Sequence, residues 1–350
     1  MDNVAVASFR AEASTRVWLT RLAVFGVILV FCVVMLGAWT RLRDAGLGCP
    51  DWPTCYGMLT VPTEAHDVAR ANALFPNQPV EARFAWPETI HRYFASTLGL
   101  TIVLLAIIAW RGRREPGMPV RHAFFLFFLV CLQGAFGAWT VTMKLFPPVV
   151  TTHLLLGFTT FTFLVLLALR SSGAFAPRGD RAIASLLPLV YLSVAVVALQ
   201  IFLGGWMASN YAATMCTGLP ICQSGWENNL NFAAAFQPFG HQVATYQYAP
   251  HLAPDAKLTI HIVHRFGAIA ATVMLLVLAA LLWVRAAAAR YRGFAQVLLG
   301  VLLLQLALGV SNVLFQLPLP VAVAHNAVAA LLLQVLVALA FSLYRERATR

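Results

Sequence analysis

ETIHRYFASTLGLTIVLLAIIAWR (88–111) and HIVHRFGAIAATVMLLVLAALLWV (261–284) are the two stretches that decide how this chain is built. They align at an offset of 173, which pairs His91 with His264, Arg92 with Arg265 and Trp110 with Trp283. Each is an apolar run with a histidine–arginine pair near its start. A second histidine follows each: His153 comes 62 positions after His91, and His325 comes 61 after His264. Two histidines on separate helices of an apolar bundle can clamp a flat iron macrocycle from both faces. The same arrangement twice suggests two haem-sized sites.

The composition sets the solvent. Of 350 residues, 60% are hydrophobic and 11% charged, so this is an all-α polytopic membrane protein. The net charge of +11 does not point to nucleic acid, because the basic residues fall in short loops where they set topology. Eight runs are long enough to span a bilayer: 17–39, 89–110, 121–141, 149–169, 183–206, 258–284, 293–313 and 321–343. Arg10 and Arg16 precede the first. Arg111, Arg113, Arg114 and Arg121 separate the second from the third. Arg170, Arg178 and Arg181 follow the fourth, Arg285, Arg290 and Arg292 the sixth, and Arg345, Arg347 and Arg350 the last. The opposite short loops hold only Lys144, so both termini are expected in the cytoplasm. The first run belongs to the repeat and is not read as a signal peptide.

The repeat runs through the chain. GAWTRLRDAGLGCPDWPTC (37–55) parallels GGWMASNYAATMCTGLPIC (204–222), matching Trp39 with Trp206, Cys49 with Cys216 and Cys55 with Cys222 at offset 167. Gln133, Gly137, Pro148 and His153 match Gln305, Gly309, Pro320 and His325 at offset 172. The expectation is eight transmembrane helices in two duplicated four-helix bundles, 1–175 and 176–350. An even number of spans per half makes the repeats parallel. All four histidines then lie near helix starts on the outer side, roofed by the long loops 40–88 and 207–257.

An intramembrane histidine can simply hydrogen-bond a neighbouring helix. Four at matched depth favour iron ligation by His91, His153, His264 and His325 over that reading, and over a non-haem metal, which would want carboxylates in both halves. His66, His122, His241, His251 and His261 break the repeat. Arg92 and Arg265 are solvated interfacial cations or propionate partners, and the repeat favours the second. Trp39, Trp86 and Trp206 read as an interfacial aromatic belt. Cys49–Cys55 and Cys216–Cys222, each spaced by six on the oxidising side, suggest a loop-closing disulfide per half; a redox-active role for the first pair is the alternative. Cys32 and Cys131 read as packing residues.

One position breaks the symmetry. Glu88 lies three residues before His91, on the same helix face, and its counterpart is His261. It is either a helix-capping acid or an acid/base or charge-stabilising group beside a porphyrin edge. The second reading makes the first half the reaction site and the second half a resident-cofactor site.

Taken together, TRLRDAGLGCPDWPTCYG (40–57), ETIHRY (88–93), TTHLLLGF (151–158), HRFGA (264–268) and AHNAVAALLL (324–333) resemble the haem A synthase family over nearly the whole chain. With both cysteine pairs present, the chain resembles the bacterial, cysteine-containing type. The resemblance implies an oxidoreductase of the bacterial inner membrane. It would oxidise a methyl group of haem O to the formyl group of haem A, for cytochrome c oxidase. It implies that His264 and His325 hold a resident haem b, that His91 and His153 flank the substrate haem, and that catalysis requires Glu88. Haem O would come from a haem O synthase and enter from the lipid, its propionates toward Arg92. The methyl would pass through an alcohol and a geminal diol to the aldehyde, with electrons exchanged with an unidentified acceptor or donor. The oligomeric state stays open, a homo-oligomer included. The alternatives are a two-haem electron carrier or quinol-linked cytochrome b, which needs no carboxylate in one half only, and a haem transporter, which would release its haem unchanged.

Overall fold

The computed structural model describes residues 2–177, 179–239 and 252–348. His241, His251, Arg178 and Arg350 lie outside them, as do the side chains of Arg10 and Arg181. The described residues form α1 (Asp2–Leu42), α2 (Ala65–Leu74), α3 (Ala82–Arg111), α4 (Val120–Thr142), α5 (Pro147–Ser172), α6 (Arg181–Ala184), α7 (Leu187–Ser209), α8 (Phe232–Ala235), α9 (Pro254–Arg285), α10 (Ala289–Leu314) and α11 (Leu319–Ala348), with one 3-10 turn at Trp226–Asn228. Eight are long and apolar enough to cross a membrane: α1 from Thr15, α3, α4, α5, α7 with the end of α6, α9, α10 and α11. They coincide with the eight expected runs, except that α3 starts about two turns earlier than its apolar run. Its first residues, ARFAWPE, are too polar to register as membrane-spanning.

The helices pack as two closed rings. α1 touches α3 and α5, and α4 closes that ring; α7 touches α9 and α11, and α10 closes the other. Between the rings α1 meets α11, α5 meets α7, and α5 meets α11. The first helix of each ring thus meets the last helix of the other. α11 is the most enclosed span, with 67% of its apolar window buried, whereas α10 with 11% turns mostly outward. One apolar core runs through both rings, from Leu19, Ile102 and Leu164 to Leu278, Leu298 and Leu336.

The helix ends repeat in detail. After α4 the chain reverses through Lys144 and Leu145 at positive φ, and Leu145 N–H donates to Thr140 C=O (2.8 Å). After α10 it reverses through Gln316 and Leu317, with Leu317 N–H on Asn312 C=O (2.8 Å). Asp44 after α1 and Tyr211 after α7 are both left-handed, followed by Ala45 N–H on Thr40 C=O (2.9 Å) and Ala212 N–H on Met207 C=O (3.0 Å). Such bonds satisfy carbonyls that a helix end leaves open.

The outer segments carry small cores of their own. Cys49, Cys55, Tyr56, Val61, Ala71 and Ala85 pack together beneath α2. Trp206, Ala212, Ala235, Leu252, Ala256 and Ile260 do so above α7 and α9. Trp206 is therefore not a belt residue: it is buried, and its indole N–H donates to Ala235 C=O (2.8 Å). Trp86 stays partly exposed, as expected at an interface. Cys131 is exposed on the outside of its ring instead of packed within it.

Candidate functional site

His91 and His153 lie on α3 and α5 of the first ring, and His264 and His325 on α9 and α11 of the second. All four fall within the first three turns of their helices. Each imidazole is wedged against a glycine of the preceding span. A Cβ on Gly37 would sit 3.1 Å from His91 Cε1, and Cβ atoms on Gly137, Gly204 and Gly309 would sit 3.2 Å from Cε1 of His153, His264 and His325. Any side chain there would push the imidazole off its place. The cradle occurs four times, once per histidine. Gly37 and Gly204 stand at the repeat offset in the stretches quoted above.

Glutamine amides approach three of the rings. Gln133 Nε2 lies 3.4 Å from His153 Nε2, Gln305 Nε2 3.3 Å from His325 Nε2, and Gln200 Nε2 3.1 Å from His264 Nδ1. The Oε1 atoms of all three glutamines are buried without a hydrogen-bond partner among the described residues, as is Nδ1 of His91, His153 and His325. Unsatisfied buried polar atoms are costly, so their concentration here points to a partner the protein chain itself does not supply. Among the described residues no three His, Cys, Asp or Glu side chains cluster as a bare metal ion would need. Paired imidazoles alone suit the iron of a haem, whose equatorial ligands the macrocycle supplies. The residues present therefore fit haem.

Above the histidines each half has a braced roof. Cys49 and Cys55 form a disulfide, as do Cys216 and Cys222, with Cα atoms 4.8 Å apart in both. In the first half Glu88 Oε2 accepts from Cys49 N–H (2.9 Å), and Glu88 Oε1 pairs with Arg92 (2.5 Å). Arg92 in turn donates to Thr54 C=O (2.5 Å). In the second half Arg265 Nε donates to His261 Nε2 (3.1 Å), so His261 Nδ1 carries the ring proton and donates to Ala212 C=O (3.1 Å), with Cys216 N 3.3 Å away. Arg265 also donates to the carbonyls of Cys216 (2.8 Å), Gly218 (2.5 Å) and Ile221 (2.5 Å). Glu88 and His261 thus do the same bracing work with opposite chemistry. Glu88 paired with Arg92 is near neutral, whereas a neutral imidazole with Arg265 leaves that pair positive.

One expectation changes. Glu88 is not an end cap, because α3 begins at Ala82 and has no acid in its first turn. Both arginines grip loop carbonyls, which sequence cannot reveal because every residue carries one.

These features define a class: an eight-span helical membrane protein with two paired-histidine sites fit for haem, each under a disulfide-closed roof. The cytochrome oxidase assembly protein family COX15-CtaA matches residues 20–337. A heme A synthase of Shewanella oneidensis is 44% identical over 94% of this chain and 97% of its own length. Heme A synthases of Rhizorhabdus wittichii and Mesorhizobium japonicum are 29% and 27% identical, over 91% and 93% of this chain and 91% and 89% of theirs. The chain belongs to the COX15-CtaA family of heme A synthases.

Proposed function

We propose that this chain makes haem A from haem O, oxidising a methyl group to a formyl group in the first ring. The observation that carries the assignment of the two rings is the exchange of Glu88 for His261 beneath otherwise matching roofs. The conversion takes four electrons and four protons out of a methyl group and one water's worth of oxygen in, through an alcohol and a geminal diol that loses water. An acceptor of electrons is therefore needed, and a group that takes protons at the reacting edge is useful. Glu88 is that group. It lies on the same helix face as His91, and Arg92 holds it ready to accept a proton or to stabilise developing positive charge.

His91 and His153 flank the substrate haem O, which a haem O synthase supplies through the lipid. His264 and His325 hold a resident haem b, which supplies one-electron transfer to or from an outside partner. The positive His261–Arg265 pair over the second ring suits a site that keeps its dianionic haem. Arg92 and Arg265 are the cations at the two mouths and face the propionates. The rings are duplicated halves, 1–175 and 176–350, in a bacterial inner membrane. Both termini are cytoplasmic and the haem sites lie toward the outer leaflet.

The test co-expresses the chain with a haem O supply in a host that makes no haem A, beside Glu88→Ala, and separates the haems by reversed-phase chromatography with mass detection. Haem A or its alcohol precursor from the wild type, and none from the variant despite retained haem b, is the expected result. Haem A at full yield from Glu88→Ala would remove Glu88 from the reaction. Unchanged haem b alone from both proteins would favour an electron carrier.

A further inference from the structure

At the end of the bundle away from the histidines, the two rings differ in charge. The offset of 172 that pairs His153 with His325 also pairs Ala123 with Ala295, Leu126 with Leu298, Leu164 with Leu336 and Leu167 with Leu339, and all eight of these are buried. The register therefore holds along both helix pairs, and corresponding corners compare residue by residue. In the second ring the corner between α10 and α11 is closed from within. Glu346 accepts from Arg290 (2.8 Å) and from the Tyr291 hydroxyl (2.8 Å), and Tyr291 meets Ser342 (3.2 Å). The first ring has Met118, Pro119 and Ala174 at the places of Arg290, Tyr291 and Glu346, and Arg170 at that of Ser342. In place of the packed cluster is a cavity of about 370 Å³, lined by Met118, Pro119, Val120, Arg121, His122 and Arg170, with no acid among them. His122 ties its wall to α5, with Nε2 donating to Phe163 C=O (2.9 Å). Arg121 and Arg170 are exposed, and neither guanidinium has a hydrogen-bond or ion-pair partner among the described residues. Arg16, which donates to Ser171 C=O (3.2 Å), brings a third cation to the end of α5.

We propose that this corner binds the phosphate of an anionic phospholipid between Arg121 and Arg170. The exchanged carboxylate argues for an anion. The second ring pairs its arginine with Glu346, whereas the first gathers cations and supplies no counter-charge. A guanidinium fork matches phosphate oxygens, and basic pockets between membrane helices take lipid head groups. The volume falls within the range of small-ligand sites, about 300–1,000 Å³. The adjoining surface favours a lipid over free phosphate. Phe125 and Phe128 follow Arg121 at i+4 and i+7 on one face of α4, and they are 42% and 63% exposed. Phe125 packs on Phe163 of α5 with ring centroids 4.6 Å apart. A head group in the cavity thus leaves its acyl chains against an apolar strip running into the membrane. The proposal is independent of the haem assignment, because Arg170 stands 17 residues beyond His153, roughly 25 Å along α5.

The test uses the full chain, purified and delipidated in detergent, with phosphatidylglycerol or phosphatidylcholine added back and bound lipid counted by native mass spectrometry. The wild type should retain phosphatidylglycerol in preference to phosphatidylcholine. Arg121→Gln combined with Arg170→Gln should weaken that binding by about fivefold for each arginine removed. Arg113→Gln combined with Arg114→Gln removes the same charge outside the cavity and should bind as the wild type does. Equal weakening by both pairs would overturn the site and leave only diffuse attraction to basic loops. Equal retention of the two lipids would overturn it as well. Displacement of the lipid by inorganic phosphate at equal concentration would overturn the lipid as occupant and make the cavity a site for the free anion. Should the first double variant fail to fold, wild-type binding by Arg170→Gln alone would decide against the proposal.

Discussion

At the scale of single residues, the four glycines are the sharpest tool for telling the two sites apart. Each sits under one imidazole, and an alanine at any of them brings a methyl to about 3.1–3.2 Å from a ring carbon. Overpacking of this kind costs about 1–3 kcal/mol, and the ring can relieve it only by turning away from the partner histidine. Gly204→Ala and Gly309→Ala should therefore lower bound haem b, read as the pyridine haemochrome per chain. Gly37→Ala and Gly137→Ala should leave haem b in place and reduce haem A formation. Equal haem b loss from all four would mean that the rings do not have separate duties.

At the scale of elements, the roofs depend on the arginines more than on the disulfides alone. Arg265 donates to four loop carbonyls and to His261 while itself buried to 8% exposure. Replacing it with methionine keeps the apolar stem but strands those acceptors, at about 1–3 kcal/mol for each one left buried and unpaired. Arg265→Met should lower the thermal midpoint and speed proteolysis within 216–222, with the Cys216–Cys222 bond still formed. An unchanged cleavage pattern would mean that the disulfide and local packing suffice. Much of this architecture is legible in the sequence. Hydropathy finds eight spans, and the duplicated spacing of histidines and cysteines locates both sites and both loop closures. What escapes it has physical causes. The first turns of α3 are polar, so Glu88 reads as a terminal acid when it is an interior one. The arginines' grip on loop carbonyls escapes it because backbone acceptors carry no residue identity.

At the scale of the whole molecule, chemistry and stability are separated along the bundle. The haem-fit sites occupy one end. At the other, Glu346 of α11 gathers the connector between the rings: its carboxylate accepts from Gly179 N–H (2.9 Å), Arg290 (2.8 Å) and the Tyr291 hydroxyl (2.8 Å), and Tyr291 also meets Ser342 (3.2 Å). Asp180 extends the cluster by capping α6 through Ile183 N–H (3.2 Å) and accepting from Ala287 N–H (3.3 Å). The side chains of Glu346 and Arg290 are only 1% and 14% exposed. Removing one partner of such a pair leaves a buried charge uncompensated, at about 3–5 kcal/mol. Yet Glu346 stands 21 residues beyond His325 on the same helix, roughly 30 Å along its axis, too far to disturb the imidazole except through loss of the fold. Glu346→Ala should therefore lower the thermal midpoint in detergent strongly, and Glu346→Gln, which keeps an acceptor oxygen, by less. In the fraction that remains folded, haem b content, its low-spin spectrum and haem A formed per molecule should match the wild type. A spectral change in folded Glu346→Ala protein would contradict this separation, because the two ends of α11 would then be coupled by more than a common fold.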